Sequence, residues 1–355
     1  MTYQSSSRVA LSGADVLLGQ LIAHAAEHDA VIEQNEPNDH TIFVGESTIR
    51  IASDGVSLSM EVTAASESIL FFLKEASVRH LAELVPEAAE HLLWQDAAPH
   101  TNETERPPGF FELTVARKSS PMSGLIRMEL AAQDDLLPLS GPGIHVKLML
   151  PVRAGGDPVW PSVAPNGTTR WPEGDDALHV RYYTIKGIDP VLRTVDIDIV
   201  QHEGGLFAEW AEHAANGDRV GLLGPGGGEM PPADAHVLIC GDQTALPAIA
   251  RMLKQLPDNT SGDVIGEASS AAELAAYLPD TPLVLHALPS SRFRPELHKA
   301  ASSLAAARKP DFGWFAGEHE TAQEMRKLFK KDFQLPKGRQ FSITYWREGT
   351  PLKAD

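Results

Sequence analysis

Three short stretches of this 355-residue chain combine residue types that bind flat rings and phosphates. The first is the strand-like run Arg181-Tyr182-Tyr183-Thr184-Ile185-Lys186, in which Arg181 and Tyr183 point to one face and Thr184 points to the other. Arginine offers a forked donor for a phosphate, tyrosine a flat face for a stacked ring, and threonine a hydroxyl for a ring edge. The alternative interpretation is an ordinary barrel strand with an exposed arginine.

The second stretch is His202-Glu-Gly204-Gly205-Leu-Phe-Ala208-Glu-Trp210, which opens a predicted helix over 207–215. Glycines at a helix start let backbone N–H groups approach a phosphate, and the helix dipole favours negative charge there. A strand–turn–helix corner without any ligand is the alternative.

The third stretch, Gly241-Asp-Gln-Thr-Ala-Leu-Pro-Ala248, follows a short apolar strand and precedes a predicted helix over 246–256. Nucleotide sites use this strand–turn–helix context. The Gly-x-Gly-x-x-Gly pattern of dinucleotide-binding folds is absent, however, so the stretch alone is a weak signal.

The charge of the chain disfavours a nucleic-acid or anionic-lipid partner. The net charge is −18, and the first 100 residues contribute −11 of it, from 15 acidic and 4 basic side chains. A surface of this sign repels a phosphate backbone. We interpret the acidic amino-terminal region as a solvated face, with docking of a protein partner as the alternative.

The single cysteine, Cys240, excludes an intramolecular disulfide and any Cys-rich metal site. It ends an apolar strand, which favours a buried structural thiol over a nucleophile. No apolar run reaches the ~20 residues of a membrane helix, and the first residues do not have the pattern of a secretion signal. We therefore expect a cytoplasmic protein.

Hydrophobic periodicity divides the chain into three parts. Residues 8–96 predict a small α+β module: helices over 13–28 and 66–91, one on each side of a short antiparallel sheet whose hairpin turns at Asp54-Gly55. Residues 97–109 are polar and proline-rich and are expected to form a linker. Residues 110–230 contain several short strands, which predict an antiparallel barrel, interrupted by a long loop over 153–178 that is expected to be functional or mobile.

Residues 231–355 alternate strands with helices, which predicts a doubly wound, mainly parallel sheet. The fold class expected for the whole chain is therefore multidomain, α+β and α/β. A barrel followed by a βα nucleotide domain is the order found in flavoproteins of the ferredoxin-reductase type.

The carboxyl-terminal 245 or so residues resemble the siderophore-interacting protein family, which are FAD-dependent NAD(P)H ferric-siderophore reductases. Besides the three stretches above, the resemblance rests on ordered matches along the region. They are His145-x-Lys147-Leu148, Trp171-Pro172, Gly217-Asp218, Gly224-Pro225, Trp314-x-Ala-Gly-Glu318 and Tyr345-Trp-Arg-x-Gly349. Residues 8–96 resemble a small bacterial domain of unknown function that is found beside or fused to such reductases, and this resemblance implies no chemistry.

The resemblance implies a set of residues that bind FAD and the nicotinamide nucleotide. Tyr183 would stack on the isoalloxazine ring, and the segment from Gly205 to Ala208 would hold the FAD pyrophosphate. The implied cofactor-binding residues are Arg181, Tyr183, Thr184, Lys186, His202, Gly204, Gly205, Leu206, Phe207, Ala208 and Trp210 on the flavin side, and Asp242, Thr244, Ala245, Ala316, Gly317 and Glu318 on the nicotinamide side. None of them is required as an acid or a base.

The resemblance also implies basic residues that attract an anionic ferric siderophore outside the flavin. Lys147 matches one of them, and Arg339 or Arg347 is the candidate for another near the carboxyl terminus. Two departures are visible, because Gly226 stands where relatives often carry arginine and Lys186 stands where arginine is common. A lysine keeps the charge but loses the bidentate fork.

The expected function is a ferric-siderophore reductase. The alternatives are a general flavin reductase or electron-transfer module and a redox-inactive protein that binds or senses siderophores. Glu267 ends the second predicted strand of the nucleotide domain, where an acidic side chain accepts hydrogen bonds from the ribose of NAD, so NADH is favoured over NADPH.

Other residues with chemical potential have plainer interpretations. His24 and His28 are four residues apart on the first helix, but the sequence shows no third metal ligand, so a solvated helix face is favoured. Trp160, Trp171 and Trp346 either line an opening for a bulky ligand or pack in the interior, and the sequence does not decide between these.

Overall fold

A computed structural model describes residues 2–27, 30–95, 106–141, 143–153, 155–164, 167–227 and 230–349. His28 and most of the predicted linker lie outside these residues. The chain forms two compact units. The first contains the chain up to Phe110 with Pro151–His179 and Leu223–Gly226, and the second contains Phe111–Leu150, Val180–Leu222 and the chain from Gly227 onward.

The amino-terminal module is a five-stranded antiparallel sheet with helices on one face. Its elements are β1 (Tyr3–Ala10), α1 (Ala14–Glu27), β2 (Val31–Glu36), β3 (Asp39–Val44), β4 (Ser47–Ser53), β5 (Ser57–Ala64), α2 (Glu67–Leu84) and α3 (Pro86–His91). The strand order is β1-β5-β4-β3-β2. The predicted hairpin is confirmed, since β4 pairs with β5 and Gly55 takes a φ of 88°.

The prediction of a helix on each side of this sheet is wrong. Ile49 pairs with Val62 and Ile51 with Met60, and these side chains share one hydrophobic cluster with residues of both α1 and α2. The other face carries polar pairs such as Arg50 with Glu61. A polar face cannot accept an apolar helix stripe, so both helices pack on the same side.

The middle part of the chain forms a closed barrel. Its elements are β6 (Phe110–Ser119), β7 (Leu125–Ala132), β8 (His145–Pro151), the small ribbon of β9 (Ser162–Val163) and β10 (Thr169–Arg170), β11 (Leu178–Asp189), β12 (Thr194–Val200), α4 (Leu206–His213) and β13 (Arg219–Gly226), with 3₁₀ turns at Leu137–Ser140 and Gly174–Asp176. The barrel order is β11-β12-β7-β6-β13-β8. The predicted barrel is confirmed, although β13, which contains three glycines and a proline, was not recognisable as a strand.

The long segment between β8 and β11 belongs to the same compact unit as the amino-terminal module. The backbone N–H of Thr169 donates to Glu75 Oε1 at 3.2 Å, and Arg106 Nη1 donates to the carbonyl of Trp160 at 2.9 Å. Trp160 is buried. Its ring therefore packs in the interior of this unit instead of lining an opening.

The last part of the chain is a doubly wound parallel sheet, as predicted. Its elements are β14 (His236–Gly241), α5 (Leu246–Leu253), β15 (Ser261–Glu267), α6 (Ala271–Tyr277), β16 (Val284–Leu288), α7 (Ser290–Ala307), β17 (Phe312–Glu318), α8 (His319–Lys327), a π-helical turn at Leu328–Asp332 and β18 (Gln340–Trp346). The strand order is β16-β15-β14-β17-β18. Helix α7 was not predicted, because Pro295 and several polar residues interrupt its thin apolar stripe.

Alternate side chains of β14 enter different hydrophobic layers. Ile239 packs in a cluster with Ile249 of α5, whereas Leu238 packs in a second cluster with Phe293 of α7. The central strand is therefore covered on both faces. No helix in the described residues is long and apolar enough to cross a membrane.

We predict that Leu81→Ala lowers the stability of the amino-terminal module by about 2–5 kcal/mol, because the substitution leaves a cavity in a close-packed core. Leu81 is fully buried on α2. The matched control is Leu84→Ala on the same helix, where 39% of the residue is exposed. Chemical denaturation followed by circular dichroism measures both. Equal losses in the two variants would contradict the packing described above.

Candidate functional site between barrel and nucleotide sheet

The carboxyl ends of β14 and β17 mark the point where the strand order of the parallel sheet reverses. In open α/β sheets, ligands bind in the crevice at such a switch point. Asp242 follows β14 directly, and Ala316, Gly317 and Glu318 end β17. The structure therefore brings together the residues predicted for the nicotinamide side.

The carboxylate of Asp242 is the centre of this group. Its Oδ2 accepts hydrogen bonds from the backbone N–H of Glu318 at 2.9 Å and from Trp346 Nε1 at 2.8 Å. Its Oδ1 accepts the backbone N–H and the hydroxyl of Thr244. One side chain thus connects the ends of β14, β17 and β18 with the turn before α5.

Burial raises the pKa of Asp242 to about 6, and the hydrogen bonds from Thr244 and Trp346 limit the rise.

Gly317 allows β17 to approach the Asp242 carboxylate closely. A Cβ built on Gly317 would lie 2.4 Å from Asp242 Oδ2, and the φ of this glycine is 152°. A larger residue would force the carboxylate away.

The aromatic pair at the end of β18 connects this group to the barrel. Trp346 reaches Asp242, whereas the preceding Tyr345 faces the barrel. The Tyr345 hydroxyl also lies 3.3 Å from Nε2 of His145, which begins β8. Burial raises the pKa of Tyr345 and lowers that of His145 to about 4, so both side chains are uncharged near neutral pH.

Tyr183 and the start of α4 form the flavin side of the candidate site. The ring of Tyr183 lies 5.3 Å from that of Phe207, which in turn lies 6.3 Å from Trp210. Burial raises the pKa of Tyr183, and the charge of Arg181 opposes this rise. The Arg181 guanidinium donates to the carbonyl of Val180 at 2.7 Å. The strand-borne and helix-borne residues predicted for FAD are therefore neighbours.

The helix start itself has the form of a phosphate cradle. No side chain of the described residues caps α4, whose amino-terminal cap is Gly205. A Cβ on Gly205 would lie 2.2 Å from the imidazole of the exposed His202, so that ring would have to move for a side chain to fit there. Gly204 takes a φ of 72°. The uncapped N–H groups of Leu206 and its successors fit an anionic ligand.

Two buried polar contacts fix the barrel against the nucleotide domain. Arg251 of α5 donates to the carbonyl oxygens of Leu139 at 2.9 Å and Ile185 at 3.4 Å, and burial lowers its pKa to about 10. The Tyr277 hydroxyl of α6 donates to Asp198 Oδ2 at 2.6 Å.

Asp198 also accepts two hydrogen bonds of 2.7 Å from Arg127. Lys186 belongs to this second contact, because its Nζ lies 5.0 Å from the centre of the Tyr277 ring. Burial lowers the pKa of Lys186. Lys186 follows Thr184 by two residues on β11, and its ammonium group lies at the Tyr277 ring of α6.

The three basic residues predicted for the siderophore have different surroundings. Lys147 is 92% buried, and its Nζ lies 5.6 Å from the ring centre of Tyr182, which is half exposed. Arg347 follows the carboxyl end of β18 and contacts His319 Nε2 at 2.7 Å. Arg339 precedes β18 at the opposite edge of the sheet, where it lines a cavity of about 460 Å³. Arg339 is therefore separated from the switch point by the length of a strand.

Glu267 lies at the carboxyl end of β15, as predicted. Its Oε2 accepts the backbone N–H of Gln243 at 3.4 Å, next to Asp242. Ser269, two residues further on, donates through its backbone N–H at 2.8 Å and through its hydroxyl to Glu273. This corner of the crevice is acidic.

The surroundings of Cys240 and Glu318 indicate structural roles for both side chains. Cys240 is fully buried, and burial raises the pKa of its thiol, which matches the predicted inert cysteine. Glu318 caps α8 by accepting the backbone N–H of Glu320 at 2.8 Å and of Thr321 at 3.2 Å. Burial opposes ionisation of Glu318, but these hydrogen bonds and Arg294 keep its pKa below the usual value.

Comparison with known proteins identifies the family of this architecture. Residues 114–229 match the siderophore-interacting FAD-binding domain, and residues 234–349 match the siderophore-interacting protein family. The chain belongs to the siderophore-interacting protein family. The first 110 or so residues lie outside both matches.

Two relatives and one solved structure place the chain within the family. The ferric vibriobactin reductase of Vibrio cholerae is 28% identical over 67% of this chain and 89% of its own length. The NADPH-dependent ferric-chelate reductase of Escherichia coli is 32% identical over 41% of this chain and 57% of its own. A siderophore utilization protein from T. fusca superposes with a TM-score of 0.58 and 30% identity, covering 71% of this chain and 97% of that one.

As a family member, the chain contains an FAD-binding domain. The residues present fit that cofactor, because an uncapped helix start that begins at a glycine lies beside Tyr183. Sequence reasoning missed Tyr345, His145 and Arg251, which join the two domains. The family match of Tyr345-Trp346 was a signal for the first of them. Nothing in the sequence marks Arg251 as buried.

We predict that Asp242→Asn removes a pH dependence of stability between about pH 4 and pH 6. The folded-state pKa of Asp242 lies above its ordinary value of 3.8, so the folded protein holds the proton more tightly. The protonated form therefore stabilises the fold at low pH, and this contribution of about 3 kcal/mol is lost as pH rises through 6.

The measurement is the unfolding free energy of wild type minus that of Asp242→Asn, taken from pH 4 to pH 7. We expect this difference to fall with pH, and Asp175→Asn, which replaces an exposed aspartate, is the control. A flat difference for Asp242→Asn would show that the carboxylate is not buried as described.

Proposed function

We propose that this protein is a ferric-siderophore reductase that passes electrons from a nicotinamide nucleotide through FAD to chelated Fe(III), releasing Fe(II). The observation that carries the proposal is a set of contacts between the barrel, which contains the flavin side of the site, and the nicotinamide side. The Tyr345 hydroxyl lies 3.3 Å from Nε2 of His145 in the barrel, and its chain neighbour Trp346 bonds Asp242 at the switch point. The two relatives above, which are named as reductases of ferric chelates, support the same function.

The chemistry of the proposed substrate explains why a flavin is needed. Ferric iron is a hard ion that chelator oxygens hold tightly, whereas ferrous iron is held less well, so one electron releases it. Nicotinamide gives up two electrons as a hydride, and a bound flavin would supply the conversion from a two-electron donor to a one-electron acceptor.

The residues of this chain bind and orient the reactants. Arg181 and the N–H groups at the start of α4 would hold the FAD phosphates, and Tyr183 would stack on the flavin ring. Asp242 and Trp346 would shape the nicotinamide end. No side chain here is required to move a proton.

The siderophore would approach a surface that contains both an aromatic ring and positive charge. Tyr182 is exposed over the buried ammonium of Lys147. Arg347 offers a second charge beyond the end of β18. Charge attraction of this kind selects anionic chelates without a closed pocket.

Because nicotinamide nucleotides are cytoplasmic reductants, we also propose that the reaction takes place in the cytoplasm.

We propose NADH as the preferred nucleotide. Glu267 and Glu273 make the expected ribose corner acidic, and residues 268–280 contain no lysine or arginine. Arg292 of α7 is paired with Glu296 at 2.6 Å, and Arg294 with Glu320 at 3.1 Å. A ribose 2′-phosphate would therefore meet carboxylates.

The experiment that tests the function begins with the purified protein loaded with FAD under anaerobic conditions. We expect NADH to bleach the flavin absorbance, and a ferric hydroxamate or catecholate to restore it while a ferrous chelator detects Fe(II). Free flavin or a ferredoxin as an equally good acceptor would favour a general electron-transfer module. Failure of both nucleotides to bleach the flavin would favour a redox-inactive siderophore-binding protein.

We predict that Tyr183→Ala weakens FAD binding by about tenfold, because the stacking face is lost. The matched control is Tyr182→Ala, the adjacent tyrosine on the other face of the same strand, which we expect to keep its FAD. Fluorescence titration of the flavin-free proteins with FAD measures both. Equal weakening in the two variants would contradict the assignment of faces.

We predict that Glu267→Gln lowers kcat/KM for NADH by about tenfold, because a charged acceptor for the ribose hydroxyls is lost. The value for NADPH should fall less or rise. The control is Glu324→Gln, an exposed glutamate on α8. A wild type that uses NADPH better than NADH would overturn the proposed preference.

A further inference from the structure

Three potential metal ligands meet on the helical side of the amino-terminal module. Nε2 of His24 lies 3.2 Å from Nδ1 of His80, and each of these nitrogens lies 3.7 Å from Oε2 of Glu83. All three residues belong to one compact unit. They are distant in sequence from every residue used in the proposed reaction.

The spacing of these atoms suits a metal ion. A circle through three points with these separations has a radius of about 2.1 Å, and bonds from zinc to imidazole nitrogen and carboxylate oxygen are about 2.0–2.2 Å long. An ion near the centre of the triangle would therefore reach all three ligand atoms without movement of the backbone.

The scaffold holds the ligands in place. His80 and Glu83 are three residues apart on α2, so they share one face of the helix. His24 comes from α1, which packs on the same sheet face, and the buried residues Leu21 and Leu81 lie beneath in one cluster. The spacing of His24 and His28 along α1 did not reveal this arrangement. The other two ligands, His80 and Glu83, come from α2.

The open side of the cluster leaves room for further ligands. The side chains of His24, His80 and Glu83 are 29%, 36% and 52% exposed. Water could therefore complete the coordination shell. Two imidazoles with one carboxylate form a ligand set that divalent first-row transition metals prefer, whereas Mg²⁺ and Ca²⁺ prefer oxygen alone.

We infer that His24, His80 and Glu83 form a binding site for one divalent first-row transition-metal ion. The site shares no residue with the predicted flavin and nicotinamide sites, and its existence does not depend on the proposed reductase activity. The competing explanation is a hydrogen bond between the two imidazoles with no affinity for metal.

The experiment uses the full chain without an affinity tag, stripped with a chelator and loaded with FAD. Equilibrium dialysis against Zn²⁺ measures stoichiometry, and Co²⁺ titration reports the ligand geometry through its visible absorbance. Fe²⁺ under anaerobic conditions is a third probe. We expect wild type to bind one equivalent more than His24→Ala, His80→Ala or Glu83→Gln, with affinity reduced at least ~10-fold in each variant.

The matched controls are His91→Ala and Glu87→Gln, which replace exposed residues of the same types on α3. We expect both to bind metal as wild type does. Glu83→Gln removes only a charge on a half-exposed side chain, so loss of binding in this variant cannot be ascribed to unfolding, and circular dichroism checks this. Identical metal binding by wild type and Glu83→Gln, or no stoichiometric binding by wild type, would overturn the inference.

Discussion

A buried carboxylate constrains the geometry of the nucleotide-binding sheet at the place where ligands are expected. Burying the Asp242 carboxylate away from water costs free energy, and this cost is offset only while hydrogen-bond donors surround the carboxylate. Thr244, the backbone of Glu318 and the indole of Trp346 provide those donors. Because these donors come from the turn after β14 and from the ends of β17 and β18, the three segments cannot shift independently of one another.

The same requirement extends to the barrel through Tyr345. Its chain neighbour Trp346 is held by Asp242, so the phenol is directed to His145. Arg251 acts at a second place, where a buried guanidinium is satisfied by backbone carbonyls of the barrel instead of a carboxylate. A cation in such a position leaves little tolerance for relative movement, since an unpaired buried charge is strongly unfavourable.

The sequence was informative where local rules and function agree. Alternating strands, the Asp54-Gly55 hairpin and the βα alternation of the last domain all depend on short-range patterns, and the structure confirms them. The sequence did not predict the burial of side chains whose surroundings are formed by segments distant in the chain. Arg251 looks like a helix-surface residue, and Lys147 looks like a free surface charge, yet both are buried. Burial of a single charged residue has no periodic signal, so no local rule could identify either one.

The position of the long segment after β8 bears on the role of the amino-terminal module. That segment has too few apolar residues to fold alone, but Glu75 of α2 holds it at the backbone of Thr169, and Trp160 is buried within the same unit. The segment leads directly into β11, the strand that carries Arg181, Tyr183 and Thr184.

A module that orders this segment reduces the conformational freedom of the chain entering the flavin strand. The backbone of Thr169 is held by Glu75 before the chain reaches β11, which begins at Leu178.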